Sequence, residues 1–256
     1  MSRVSAIATL AALAGTLAAA PTNGTSEEPL ALGMRVRSSF TASDRRAVQV
    51  QAAVFPRDRV TLGVVDVPLG GPVGETVTRA FGPGVVAAVT GGFFGPGYHP
   101  MGLLEIGGSV HDPARAEPSG FAGSLKDGTL VVAPIAYLAT ASMNDAIQAG
   151  PFVVDPGGKF GIRSDDGQHA RRTIVILSED AVAVALTSSC TLYELADGLV
   201  SSPKAFGVDR VERALNLSGG PSAGFAVRLP NGTLESDPER IRIRTVLTVR
   251  TRTASP

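Results

Sequence analysis

ALNLSGGPSAGFAV, Ala214 to Val227, interrupts an apolar run with Ser218-Gly219-Gly220 and then turns apolar again. A chain that breaks buried structure with a glycine pair needs either positive backbone dihedrals there or close approach of another group to its main chain. AAVTGGFFGPG, Ala87 to Gly97, repeats the pattern: an apolar run ends on Thr90 and enters Gly91-Gly92. Each turn can present backbone N–H groups to an anion. Around these two turns lie short apolar runs bounded by turn residues: AVQVQAAVF (47–55), RVTLGVVDV (59–67), TLVVAPIAYL (129–138), GPFVVD (150–155), RRTIVILS (171–178) and DAVAVALT (180–187). Their length and their Val/Ile content make strands the dominant element.

Helical signals are few. Thr191 followed by Glu194 is a capping box, and Leu192, Leu195, Ala196 and Leu199 then share one helical face. VDRVERALN (208–216) is expected to form a second helix that stops before the glycines. The closing RIRIRTVLTVRTRT (240–253) alternates charged and apolar residues, which predicts a strand with one solvated face rather than a track for phosphates. The sequence has no repeat of fixed period.

The 256 residues carry 23 basic and 23 acidic side chains, so no surface charge favours coating a nucleic acid. Arg3 followed by AIATLAALAGTLAAA fits a secretory signal over residues 1–20. Residues 21–32, rich in Pro, Gly, Ser and Thr, are expected to be a linker, with one domain over 33–256. No other apolar segment approaches the length of a membrane span, so none is expected after signal cleavage. The lone Cys190 cannot form an internal disulfide and reads as a buried thiol. His111 and His169 have no partners at metal-ligand spacing, and Asp165-Asp166-Gly167 is far short of a calcium loop, so no metal or other cofactor is expected.

Four segments in order resemble the phosphodiester glycosidase family: AAVTGGFFGPGYHPMGLLEIGG, AIQAGPFVVDPGG, RRTIVIL, and TLYELADGLV with ALNLSGGPSAG. The resemblance implies a single α+β domain of mixed β-sheets with a few covering helices. It also implies release of a sugar from a sugar-1-phosphodiester, with related phosphorylated glycans of the cell envelope as substrates or partners and a secreted or envelope location. By the same resemblance, Arg172 is the phosphate clamp, since a planar guanidinium can bind two oxygens at once. Arg171, its neighbour, is expected to point to the opposite face of the strand. Asn216 would orient a hydroxyl or the phosphate through its amide. Gly91, Gly92, Gly219 and Gly220 would give close backbone approach, with Ser222 in the same turn. Phe93 and Phe94 would wall the sugar pocket, Gln148, Gly150 and Pro151 would shape another rim, and His99 would lie in a loop near the site.

Two positions depart from the family pattern. Thr90 stands where asparagine is expected and Ser218 where aspartate is expected, while Pro221 and Ala223 make the turn stiffer and less polar. A serine hydroxyl without a base is a poor substitute for a carboxylate beside a cationic transition state. Two outcomes follow: hydrolysis assisted by another carboxylate, with Asp145, Asp155 and Glu105 as candidates, or binding of a phosphorylated glycan without cleavage.

Overall fold

A computed structural model describes residues 24–252, so the expected signal segment, residues 1–20, lies outside the described residues. The first strand, Ser26–Pro29, falls inside the stretch expected to be a linker and pairs with Met34–Thr41. Three sheets follow, and every pairing is antiparallel, which corrects the expectation of mixed sheets. The physical reason is connectivity: parallel neighbours need long crossovers, and this chain joins most of its strands by short turns.

The eight-stranded sheet runs, in order of neighbours, Ser26–Pro29, Met34–Thr41, Ala47–Pro56, Ala181–Cys190, Ala170–Leu177, Arg213–Gly219, Phe152–Asp155 and Lys159–Phe160. One five-stranded sheet orders Ser109–Asp112, Leu104–Ile106, Met143–Ala149, Gly120–Leu125 and Leu130–Pro134. The other orders Leu234–Asp237, Phe225–Arg228, Val85–Thr90, Thr245–Thr251 and Val60–Asp66. The main core joins all three. Val175, Leu177, Val182, Val184 and Leu186 face it from the large sheet, and Val64, Val89, Leu104, Ala122, Ile147, Phe225 and Leu247 face it from the two smaller ones.

Alternation along a strand explains why the second half of RRTIVIL, Ile174 to Leu177, is apolar at every position. Val175 and Leu177 face the central core, whereas Ile174 and Ile176 face a second core under the helix Leu192–Ser201. A strand covered on both sides has no position left for a polar residue. The helix buries Leu195, Ala196 and Leu199 there, as their spacing predicts.

Both halves of the capping box form. The Glu194 backbone N–H donates to Thr191 Oγ1 at 3.1 Å, and the Thr191 N–H donates to Glu194 Oε2 at 2.9 Å. Glu194 is buried, and both its carboxylate oxygens also accept from Arg46 Nη2, each at 3.0 Å. Thr191→Ala is expected to cost about 1 kcal/mol of stability, read as a lower denaturant midpoint at unchanged slope.

Two expected elements differ. Val208–Asn216 is not a helix: its second half belongs to the strand Arg213–Gly219, which lies between Ala170–Leu177 and Phe152–Asp155. Ladder partners on both sides outweigh a weak helical spacing of a few residues. The closing arginine run is not a half-solvated strand either. The strand starts at Thr245, after Arg240, Arg242 and Arg244, and Thr245–Val249 are buried on both faces. Arg244 grips Asp66 with two hydrogen bonds, at 2.5 and 2.6 Å. With two short α-helices, Thr76–Arg79 and Leu192–Ser201, the fold is mostly β. Among the described residues no helix is long and apolar enough to cross a membrane.

Candidate functional site

The strand Val85–Thr90 ends where the two glycine turns meet. The Thr90 N–H donates to the Gly224 carbonyl at 3.0 Å, and the Thr90 carbonyl accepts from Thr173 Oγ1 at 3.0 Å. Thr173 in turn sits opposite Ser218 in the register of the large sheet. These pairings bring the ends of Val85–Thr90 and Arg213–Gly219 and the start of Ala170–Leu177 to one place. Thr90 Oγ1 is fully buried there and has no hydrogen-bond partner.

Ser218 Oγ lies 2.8 Å from Ser222 Oγ, and Ser222 Oγ donates to the Gly219 carbonyl at 2.7 Å. Because Ser222 has a single hydroxyl proton, the Ser218 hydroxyl must be the donor between the two serines. Among the described residues neither a histidine nor a carboxylate hydrogen-bonds to Ser218, so none of them activates it as a nucleophile. Gly220 has φ +65°, and a Cβ placed on it meets no atom within 4 Å, so the turn exposes its backbone to open space. Gly219 is glycine for a different reason. A Cβ there would come within 3.0 Å of Arg172 Nη1 and 3.2 Å of the Arg171 carbonyl oxygen.

Arg172 lies across from Gly219 in the register. Its Nη2 donates to the Gln168 carbonyl at 2.8 Å and its Nε to the Cys190 carbonyl at 3.4 Å. No carboxylate pairs with it among the described residues, and burial pulls its pKa below the usual guanidinium range, a shift that the charge of Asp166 opposes. A half-buried cation with carbonyl partners only, and Nη1 turned toward the turn, is suited to an anion. Arg171, the neighbour, turns instead toward Asp237, at 2.7 Å.

Asn216 is buried. Its Nδ2 donates to the Gly150 carbonyl at 2.9 Å, its backbone N–H to the Pro151 carbonyl at 3.0 Å, and its Oδ1 has no partner. It therefore fastens the Gly150-Pro151 rim to the strand that carries Ser218. Gln148 is saturated: Oε1 accepts from Leu103 and Arg115 N–H groups at 2.8 and 3.0 Å, and Nε2 donates to the Arg115 and Pro118 carbonyls at 2.7 and 2.5 Å. It shapes the rim by pinning these loops, with no hydrogen-bonding capacity left over. Gly91 and Gly92 pack against Leu247 and Ile147; a Cβ on Gly92, whose φ is +74°, would lie 2.8 Å from Ile147 Cδ1. Phe94 packs against Tyr98 in a tilted pair with ring centroids 5.5 Å apart and lies on the outer core of the Thr90 sheet, while Phe93 is half-buried beside it. His99 is exposed at the Gly95–Pro100 loop and hydrogen-bonds the rest of the protein through its carbonyl, which accepts from Gly95.

None of the three carboxylates named from the sequence hydrogen-bonds to the turn. Asp145 accepts from the Gly107 N–H at 2.9 Å, Glu105 lies beside Lys126 and Asp145 with its pKa raised by burial, and Asp155 is exposed in the hairpin to Lys159. The carboxylate that does adjoin the site is Glu239, which sequence reasoning missed because it stands in ESDPERIRIR, a run that reads as solvated charge. Glu239 is 2% exposed; Oε1 accepts from the Thr76 N–H at 2.7 Å and Oε2 is unpaired. A Cβ on Gly224, whose carbonyl holds Thr90, would lie 3.0 Å from that Oε2.

Cys190 is buried with its thiol pKa pushed up by burial, and its side chain lies at hydrogen-bond distance, 3.4 Å, from Thr187 Oγ1. A thiol reagent is expected to leave the native protein unlabelled and to react fully once the chain is unfolded in denaturant. Among the described residues no three His, Cys, Asp or Glu side chains gather where a metal ion would fit.

The family model described as phosphodiester glycosidase matches residues 83–250, well over half of the chain. Among solved structures, the catalytic domain of zebrafish N-acetylglucosamine-1-phosphodiester alpha-N-acetylglucosaminidase, auto-inhibited by its pro-peptide, superposes with a TM-score of 0.63 at 18% identity, over 92% of this chain and 85% of that one. A hypothetical protein from Synechocystis superposes with a TM-score of 0.62 at 13% identity, over 86% of this chain and 62% of its own. At such identities the likeness is one of fold. No curated protein matches the sequence.

Proposed function

The chain belongs to the phosphodiester glycosidase family, and from that premise we propose that it releases a sugar from a sugar-1-phosphodiester at the Gly219–Ser222 turn. The observation that carries the reading is the placement of Arg172: a guanidinium without a carboxylate partner, its Nη1 facing a glycine turn that is open at Gly220. In this reaction the anomeric C–O bond breaks, the phosphate departs as a monoester anion and water adds to the anomeric carbon. The leaving group is a stable anion, so strong protonation by an acid is less necessary than for an alkyl glycoside. Arg172 would hold the phosphate, and backbone N–H groups at the turn would share its charge. The arginine-led apolar segment at residues 3–20 supports export and hence a cell-envelope glycan as substrate.

A second reading has its own support. Ser218 donates to Ser222 and touches no base, and Glu239 is walled off behind Gly224. A site that neutralises phosphate yet lacks a positioned carboxylate would bind a phosphorylated glycan without turning it over. A panel of sugar-1-phosphodiesters, assayed for free sugar and for binding, separates the two. Sugar release abolished by Arg172→Ala supports the glycosidase, and binding without release supports the glycan-binding protein. Neither release nor binding across the panel would overturn both.

A further inference from the structure

Beside the turn, on the side toward which Arg171 points, lies a cleft of about 320 Å³ between the large sheet and the segment Asp237–Arg240. Gln49, Gln51, Arg171, Thr187, Ser188 and Arg240 line it together with Leu186, and the stems of the long polar side chains make much of the wall apolar. We propose that this cleft is an anion subsite that takes a second oxyanion group, phosphate or carboxylate, borne by the ligand whose phosphodiester lies at Arg172. The proposal rests on the glycosidase-family reading only for which molecule carries the anion.

The charges in the cleft do not balance. Asp237 is its one carboxylate, and both its oxygens are occupied: Oδ1 by Arg171 Nη2 at 2.7 Å and Oδ2 by Gln51 Nε2 at 3.1 Å. The Arg171 side chain is only 12% exposed and gives its other nitrogen to the Pro238 carbonyl at 3.2 Å. The Arg240 guanidinium makes no hydrogen bond or ion pair among the described residues. Burial lowers the Arg171 pKa first, Asp237 opposes that, and the nearby Arg240 charge lowers it further. Two cations near each other over one occupied carboxylate leave a surplus positive charge that an incoming anion would neutralise.

The Arg240 main chain is held beside the turn, its backbone N–H donating to the Pro221 carbonyl at 2.6 Å, and its exposed side chain is left free to meet a ligand. The Ser188 hydroxyl accepts from the Gln49 N–H at 2.9 Å, so its own proton is free to donate into the cleft. Arg171 and Arg172 leave opposite faces at the start of the strand Ala170–Leu177, so the ligand that engages both guanidiniums is one long enough to pass around that strand end.

The test titrates inorganic phosphate, and separately acetate, into the full chain at low salt and follows the Arg side-chain Nε–H resonances of wild type, Arg240→Gln and Arg172→Ala. The expected result is phosphate-dependent movement of the Arg171 and Arg240 signals that survives Arg172→Ala and weakens about tenfold or more in Arg240→Gln. Acetate acting equally well would name carboxylate as sufficient, and phosphate alone would name phosphate. Signals that move only at Arg172, or an Arg240→Gln titration identical to wild type, would overturn the subsite. Sugar release is measured in parallel. Failure of turnover with the cleft titration intact would count against the glycosidase reading and leave the subsite standing.

Discussion

Ser218→Asp combined with Thr90→Asn is expected to raise the rate of sugar release from a sugar-1-phosphodiester by about 10²–10⁴-fold, the usual contribution of a positioned acid–base group. In the native site the Ser218 hydroxyl donates to Ser222, and no base lies within hydrogen-bond distance. A carboxylate at 218 would accept from the Ser222 hydroxyl and place negative charge beside a sugar that becomes cationic as its bond to phosphate breaks. Thr90 has a buried Oγ1 without a partner, so an amide there replaces an unsatisfied group by one with both a donor and an acceptor. Initial rates of sugar release check this, with the unfolding midpoint measured alongside because Thr90 and Ser218 are both buried. Wild-type hydrolysis combined with an inert double variant would rule out the binding-only reading and show that the native serine is compatible with catalysis.

Arg172→Ala is expected to weaken binding of any sugar-1-phosphodiester by about 10²-fold or more, because it removes the guanidinium that faces Gly219. Arg172→Lys should recover only part of the loss. An ammonium restores the charge but not the planar fork, and it cannot keep the Gln168 and Cys190 carbonyls while also meeting two phosphate oxygens. Comparison of kcat with KM divides the effect: a rise in KM alone marks ground-state binding, and equal falls in kcat and kcat/KM mark stabilisation confined to the transition state. Unchanged binding and turnover in Arg172→Ala would remove Arg172 from the site and with it the geometric basis of the functional reading.

Much of this was legible in the sequence wherever the signal is local. Thr191 and Glu194 mark the helix start because a capping box closes within three residues. The glycine pairs mark turns because Gly92 and Gly220 adopt positive φ values that other residues resist. The second half of 208–216 is a strand and not a helix because a short apolar spacing suits either element and ladder partners on both sides, far away in the chain, decide between them. The arginines before Thr245 show alternation without strand structure for a similar reason: Arg244 is held by Asp66 and Arg242 by the Leu69 carbonyl.

The amino-acid order by itself determined the family, the dominance of strands, the glycine turns and the two substituted positions, since each is written in residues that are neighbours along the chain. Tertiary structure alone decided that Thr173 joins Thr90 to Ser218, that Glu239 stands behind Gly224 rather than in solvent, and that Arg171 pairs with Asp237 in a cleft that Arg240 also lines. The physical reason is that hydrogen-bond partners and charge neighbours depend on distance in space, and antiparallel packing of three sheets brings together groups that no local pattern connects.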